Sequence, residues 1–256
     1  VINLEFENPE EKRFAAQINE LAGRSLEEAK PVWTDFLDPA ELQQAQAILS
    51  WATGVRFNSF GGYQNAERKR LVLYPDYYIA QTIEPELTYL AIQPGAPGEL
   101  NHRDYLGAIL GLGLERRKIG DLVVSGEECQ VILVPELAGF IQSNLDKVGS
   151  QKVTITPIDP EQLNPPNLRE KIIKSTVASL RLDAIAALGF GDSRTKMARE
   201  IKALRVKVNW KIVNNPDSQI APGDTISIRG RGRVLFRELG GTSKKGRLGV
   251  VLVRLL

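Results

Sequence analysis

The segment Asp159-Pro160 to Pro165-Pro166 constrains this chain more than any other. Proline fixes φ and has no N–H, so two adjacent prolines extend neither a helix nor a sheet ladder. A domain boundary is expected there, and 256 residues suit two or three small domains. The charges beyond the boundary are uneven. Residues 193–256 hold 15 of the 33 Lys and Arg but 4 of the 31 Asp and Glu, an excess of 11 positive charges hidden in a net charge of +2. Residues 1–192 hold the other 18 basic and 27 acidic residues, an excess of 9 negative charges. Such asymmetry points to a polyanion partner for the carboxyl-terminal part, against the plainer alternative of a solvated basic surface.

Three modules can be read. In the first, residues 1–80, Phe14, Ile18 and Leu21 recur at helical spacing. Asp38-Pro39-Ala40-Glu41 has the form of a capped helix start, with Asp38 at the N-cap, Pro39 at the first helical position and Glu41 closing a capping box. Val55–Asn58 reads as a strand, followed by a Gly61-Gly62 turn and the apolar Leu71-Val72-Leu73. The second module, residues 81–160, reads as strand (87–92), helix (101–112), strand (119–124), strand (129–134), helix (136–147) and strand (152–157). That βαββαβ order is the ferredoxin-like plan shared by many RNA-recognition domains. Cys129–Val134 lacks the aromatic residues on which such sheets stack bases, so a scaffold or protein-contact role is at least as well supported there.

In the third module, residues 169–256, a helix is expected to open at Ser179 and stop near Gly189-Phe190-Gly191, and Asp192-Ser193 to cap a second helix running to about Ala203. On that second helix Met197, Ala198 and Ile201 share one face, and Lys196, Arg199 and Lys202 lie on the opposite one. Val206–Asn209 and Thr225–Ile228 read as strands, the latter after a Pro222-Gly223-Asp224 turn. Arg229, Arg231 and Arg233 then alternate with glycines, which let a ligand approach closely while Arg makes bidentate contacts to phosphate. Lys244-Lys245-Gly246-Arg247 forms a second basic tip within a hairpin.

The ordered set Arg181-Leu182-Asp183, Ser193-Arg194, Ala198, Ile201, Val206-Lys207-Val208-Asn209 and Gly223-Asp224-Thr225-Ile226 resembles the S4 (αL-type) RNA-binding domain. The resemblance implies a basic groove for structured RNA, with Ser193, Arg194, Lys196, Arg199 and Lys202 on the RNA-facing helix, Arg205 and Lys207 at the turn after it, and Arg181 as a further RNA-binding residue. Leu204 and Trp210 stand where that family usually has glycine. A leucine in a left-handed cap costs about 1–2 kcal/mol, so a reshaped turn is expected. Upstream, Phe57–Tyr63, Ala66-Glu67-Arg68-Lys69-Arg70, His102–Gly107, Gly111-Leu112-Gly113 and Lys118–Asp121 resemble the YlmH family over nearly the whole chain, and its cyanobacterial and plastid branch, the photosystem II S4 domain proteins, in particular. This resemblance implies a non-catalytic factor on ribosomal or transfer RNA, associated with the large ribosomal subunit or with stalled translation.

Other chemistries find little support. His102-Arg103-Asp104 resembles a kinase catalytic loop, but the required Asn is Ile109 here, so Asn101 reads as a helix cap. Arg181-Leu182-Asp183 is similar to the catalytic segment of pseudouridine synthases, yet Ala184-Ile185-Ala186-Ala187 lacks the Thr-Gly that follows there. An RNA-modifying enzyme and an assembly factor for a photosynthetic complex stay open as alternatives. Gly61-Gly62 with Arg68-Lys69-Arg70 could cradle a phosphate, although a plain turn is the simpler reading. Cys129 and His102 are the only residues of their types, so neither a metal nor a cofactor is expected. No apolar run approaches the roughly 18 residues of a membrane span, and Val1–Glu7 lacks the features of a signal peptide. Cytosol is the expected location, or chloroplast stroma if a presequence has been removed.

Overall fold

The computed structural model describes residues 9–96, 100–126, 128–166, 170–243 and 246–255. They form two compact units, 1–166 and 167–256. Among the described residues no helix is long and apolar enough to cross a membrane.

In the first unit, α1 (Pro9–Glu27) buries Ala15, Ile18, Ala22 and Ser25 along one stripe, the consequence of their helical spacing. α2 (Pro39–Leu49) starts with the expected capping box. Asp38 Oδ1 accepts from the Ala40 and Glu41 N–H groups (2.8 and 2.9 Å), and Glu41 Oε2 accepts from the Asp38 N–H (2.7 Å). Both helices pack with an antiparallel sheet of order β1-β3-β2, made of β1 (Val32–Trp33), β2 (Val55–Phe60) and β3 (Arg70–Pro75). β3 is central and buried at every position, which is why Leu71-Val72-Leu73 reads as an apolar run.

The second sheet of this unit is built from β4 (Thr88–Pro94), β5 (Ile119–Ser125), β6 (Glu128–Leu133), β7 (Lys147–Val148) and β8 (Gln151–Ile158), with α3 (His102–Gly111) and α4 (Ala138–Asn144) between strands. Its antiparallel order β5-β6-β4-β8 is the ferredoxin-like one, and the short β7 adds an edge to it. Asn101 and Asp104 form a capping box at α3, so His102-Arg103-Asp104 is a helix start. Leu90, Ile92, Val131 and Leu133 share a core with Tyr105, Ile109 and Ile141 of the helices. Tyr89, Val123 and Ile132 belong to a second cluster with Phe36 and Leu163. Gly120 makes that packing possible, because a Cβ there would stand 2.6 Å from Phe36 Cε1. Around Ile132 the sheet is therefore closed by the chain's own Phe36 and is no open platform for bases.

The second unit is one antiparallel sheet of order β11-β10-β12-β13-β14-β9, with α5 (Leu182–Phe190) and α6 (Arg194–Lys202) packed on it. Its strands are β9 (Glu170–Val177), β10 (Val206–Val208), β11 (Lys211–Ile212), β12 (Thr225–Ile228), β13 (Gly232–Thr242) and β14 (Leu248–Leu255). Ile185, Met197 and Ile201 of the helices meet Val206, Ile226, Val234, Phe236 and Leu252 of the sheet. α5 starts at Leu182 rather than at Ser179. No side chain caps it. The Leu182 and Asp183 N–H groups donate to the carbonyls of Ser218 (2.8 Å) and Pro216 (3.0 Å), so a distant loop sets this boundary. Gly191 ends the helix with φ +69°, as its sequence position suggests.

Candidate nucleic-acid interface

α6 is fixed at both ends. Ser193 Oγ accepts from the Lys196 N–H (3.2 Å), and Met197 and Ile201 are buried beneath. This places Lys196, Arg199 and Lys202 on the solvent side. At the carboxyl end the Leu204 N–H donates to Ile201 O (3.0 Å) and the Arg205 N–H to Glu200 O (3.1 Å), the paired bonds of a Schellman turn. Leu204 takes φ +59°, so the expected reshaping does not occur. The turn keeps its left-handed form because both orphan carbonyls are satisfied, and the backbone strain is tolerated.

Two aspartates organise the cations around α5 and α6. Asp183, only 5% exposed, accepts from Arg194 (2.9 and 3.1 Å) and Arg181 (3.2 and 3.4 Å). Burial pushes its carboxyl up, but the bonds and charges of Arg194 and Arg181 outweigh this and hold it below the usual carboxylate range. Arg181 also pairs with Asp217. Asp192 pairs with Lys196 (3.0 Å) and Arg231, which lower its pKa in that order. Arg231 and Arg254 both lie over the Phe190 ring (5.4 and 5.6 Å) and donate to its carbonyl oxygen (3.4 and 3.2 Å), so they complete the end of α5. Arg205 pairs with Glu200 (3.4 Å).

The sheet carries the remaining candidates. Asn209 clamps two segments of the S4 motif: its Nδ2 donates to Asp224 Oδ1 (2.7 Å) and its Oδ1 accepts from the Thr225 N–H (2.9 Å). Asn209 and Trp210 form the two-residue β10–β11 turn with φ +47° and +64°, so a tryptophan holds a backbone conformation that favours glycine. Register places Lys207, Ser227 and Arg233 in one row across β10, β12 and β13. Their neighbours Val206, Ile226, Ile228 and Val234 are buried with the helices, so this row lies on the opposite face of the sheet. Arg229 is exposed in the following turn. Arg247 donates to Thr176 O (2.6 Å) and Oγ1 (3.0 Å), while Lys244 and Lys245 lie outside the described residues.

The cations therefore do not form one uniform patch. Arg181, Arg194, Lys196 and Arg231 cluster around Asp183 and Asp192. Arg199 and Lys202 occupy the outer side of α6, and Lys207 lies on the far sheet face. The side chains of Arg199, Lys202, Lys207 and Arg229 have no hydrogen bond or ion pair among the described residues. The Lys196 side chain is 57% exposed, so it can exchange the Asp192 carboxylate for a phosphate.

The upstream motifs have structural roles that spacing did not reveal. Asp121 accepts from the Tyr63 hydroxyl (2.8 Å) and from the Glu67 (2.6 Å) and Arg68 (3.0 Å) N–H groups. Arg68 donates to Phe36 O (2.8 Å), and the buried Arg70 donates to Thr34 O (2.7 Å) beneath the Trp33 ring. Burial, with the nearby Arg68 charge second, brings the Arg116 guanidinium down to about 10. Arg68 and Arg70 are thus internal struts, not a phosphate cradle. Gly61 and Gly62 serve close packing: a Cβ would stand 2.5 Å from Ala66 Cβ at the first and 2.8 Å from Ile132 Cδ1 at the second.

Two short helices laid on a small sheet, with Asn209 locking the two strand motifs together, give the second unit an S4 domain. Residues 180–226 match the S4 domain model. Residues 10–78 match the model described as "YlmH, N-terminal", and residues 93–162 the one described as "Putative RNA-binding domain in YlmH". The chain is 38% identical over 249 residues to the ribosome-associated protein quality control protein P2 of Bacillus subtilis (strain 168), covering 96% of this chain and 95% of that protein. A solved structure, cell division protein ylmH from Streptococcus pneumoniae, has a TM-score of 0.53 and 22% identity over 62% of this chain and 98% of its own, and shares the fold. The chain belongs to the YlmH family.

Proposed function

We propose that this protein is a non-catalytic RNA-binding factor that grips a folded element of ribosomal or transfer RNA and works on the ribosome, at the large subunit or on stalled translation. One observation carries the reading: α6 turns Lys196, Arg199 and Lys202 outward, with no carboxylate partner for the latter two among the described residues. A helix capped at both ends presents these charges at fixed spacing, which suits a folded phosphate backbone. The name of the Bacillus subtilis relative supports a ribosomal setting. The state of Asp183 favours a non-catalytic role, because two arginines engage its carboxylate and hold it ionised.

The test is binding of purified large ribosomal subunits and of transfer RNA across a range of salt concentrations. Replacing Lys196, Arg199 and Lys202 by Ala should weaken binding and flatten the slope of log K against log salt by about 2–3, one contact's worth for each phosphate lost. A folded triple variant with unchanged affinity and slope removes α6 from the interface.

A further inference from the structure

The first unit contains a cleft of about 490 Å³ that none of the S4 residues line. Its walls come from parts of the chain that are far apart in sequence: the end of β2 and the turn after it (Ser59, Phe60, Tyr63, Gln64), Lys69 just before β3, and Tyr89 on β4. The volume lies in the roughly 300–1,000 Å³ range of small-molecule sites, which is room for a nucleotide and not for a duplex.

The composition of the lining is specific. Phe60 is held in place by Trp33, whose ring lies 5.6 Å away and is itself covered by the Arg70 guanidinium. Tyr63 is tied by its hydroxyl to Asp121. Tyr89 is only 7% exposed, and its hydroxyl has no hydrogen-bond partner among the described residues. The hydroxyl reaches the cleft rather than being a buried orphan, so a ligand can take the place of water on it. Lys69 lines the same cleft, and its ammonium forms no ion pair among the described residues. The fixed Phe60 ring, a cation with no ion pair among the described residues and an available hydroxyl match the parts of a nucleotide: a planar base, a phosphate and groups that hydrogen-bond.

We propose that this cleft takes one unstacked nucleotide of an RNA strand. Its base lies against Phe60, its phosphate meets Lys69, and the Tyr89 hydroxyl bonds to base or ribose. The inference rests on the reading of the protein as RNA-binding but is independent of α6. It gives the first unit its own single-strand contact beside the phosphate grip of the second.

The test is short-wave ultraviolet crosslinking of the full-length protein to hexauridylate, with adducts mapped by mass spectrometry. Adducts are expected on the peptides that carry Phe60, Tyr63 or Tyr89. Lys69→Ala and Tyr89→Phe should each lower their yield about fivefold at sub-saturating RNA, the loss expected of one net polar contact. The triple alanine variant of α6 should keep these adducts, so the cleft and the S4 interface succeed or fail separately. Adducts confined to residues 170–255, or a yield unchanged in both cleft variants, overturn the proposal. Uridine monophosphate competing as well as the hexamer, mole for mole, assigns the cleft to a free nucleotide and overturns the RNA assignment.

Discussion

Replacing Asp183 by Asn tests the organisation of the S4 unit. The substitution keeps the volume and removes the charge that Arg181 and Arg194 share. Hydrogen bonds to a charged group contribute about 1.5–3 kcal/mol; the amide keeps one oxygen to accept from an arginine that stays charged, so these bonds are weakened by loss of the ionic partner rather than made neutral. Breaking a fully buried pair costs about 3–5 kcal/mol, but here the side chains of Arg181 and Arg194 are 35% and 52% exposed and can turn to water. The expected cost is about 2 kcal/mol, which corresponds to about 30-fold faster hydrogen exchange where opening of the unit limits exchange. Exchange mass spectrometry of the full chain reads this directly in peptides from α5 and α6. The effect has a defined pH window. Because the folded pKa of Asp183 is depressed, its contribution is complete above the unfolded value of about 3.9 and is lost as pH falls through the lower folded value. The gap between wild type and variant should therefore close toward strong acid. Equal protection of α5 and α6 in both proteins at neutral pH would refute the reasoning.

Two further outcomes follow from backbone and burial. Trp210→Gly should raise the denaturant midpoint of the S4 unit, since relief of about 1–2 kcal/mol of left-handed strain exceeds the roughly 0.5–1 kcal/mol entropic cost of glycine; a lower midpoint would show that the ring packs more strongly than its backbone is strained. Cys129 is fully buried, and burial, with Glu128 second, pushes its thiol up to about 12, so a thiol reagent should leave the native protein unlabelled at mildly alkaline pH and label it only after unfolding.

The readings that held depend on neighbours in sequence. The Asp38 box, the Asn101 box and the Ser193 cap each satisfy backbone groups within three residues, and Gly191 needs only its own φ. Strand order in the ferredoxin-like sheet follows from alternating elements and the limited ways of joining them. The start of α5 was misplaced by three residues because its first N–H groups find carbonyls more than thirty residues away. The Leu204 turn ran against local propensity, since the Schellman bonds outweigh the strain at a single residue.

Spacing and charge were enough to mark out the S4 segment, the basic side of α6 and the division after Pro166, because helix periodicity, caps and prolines act over a few residues. Which cations stay available was decided by tertiary contacts. Arg68, Arg70 and Arg231 have the same chemistry as Arg199 and Arg229, but the first three spend their donors on carbonyls or on Asp192, and the last two face water. The aromatic cleft is likewise a product of folding. Phe60 and Tyr89 stand far apart along the chain, and only the packing of two sheets in one unit brings their rings to the same space.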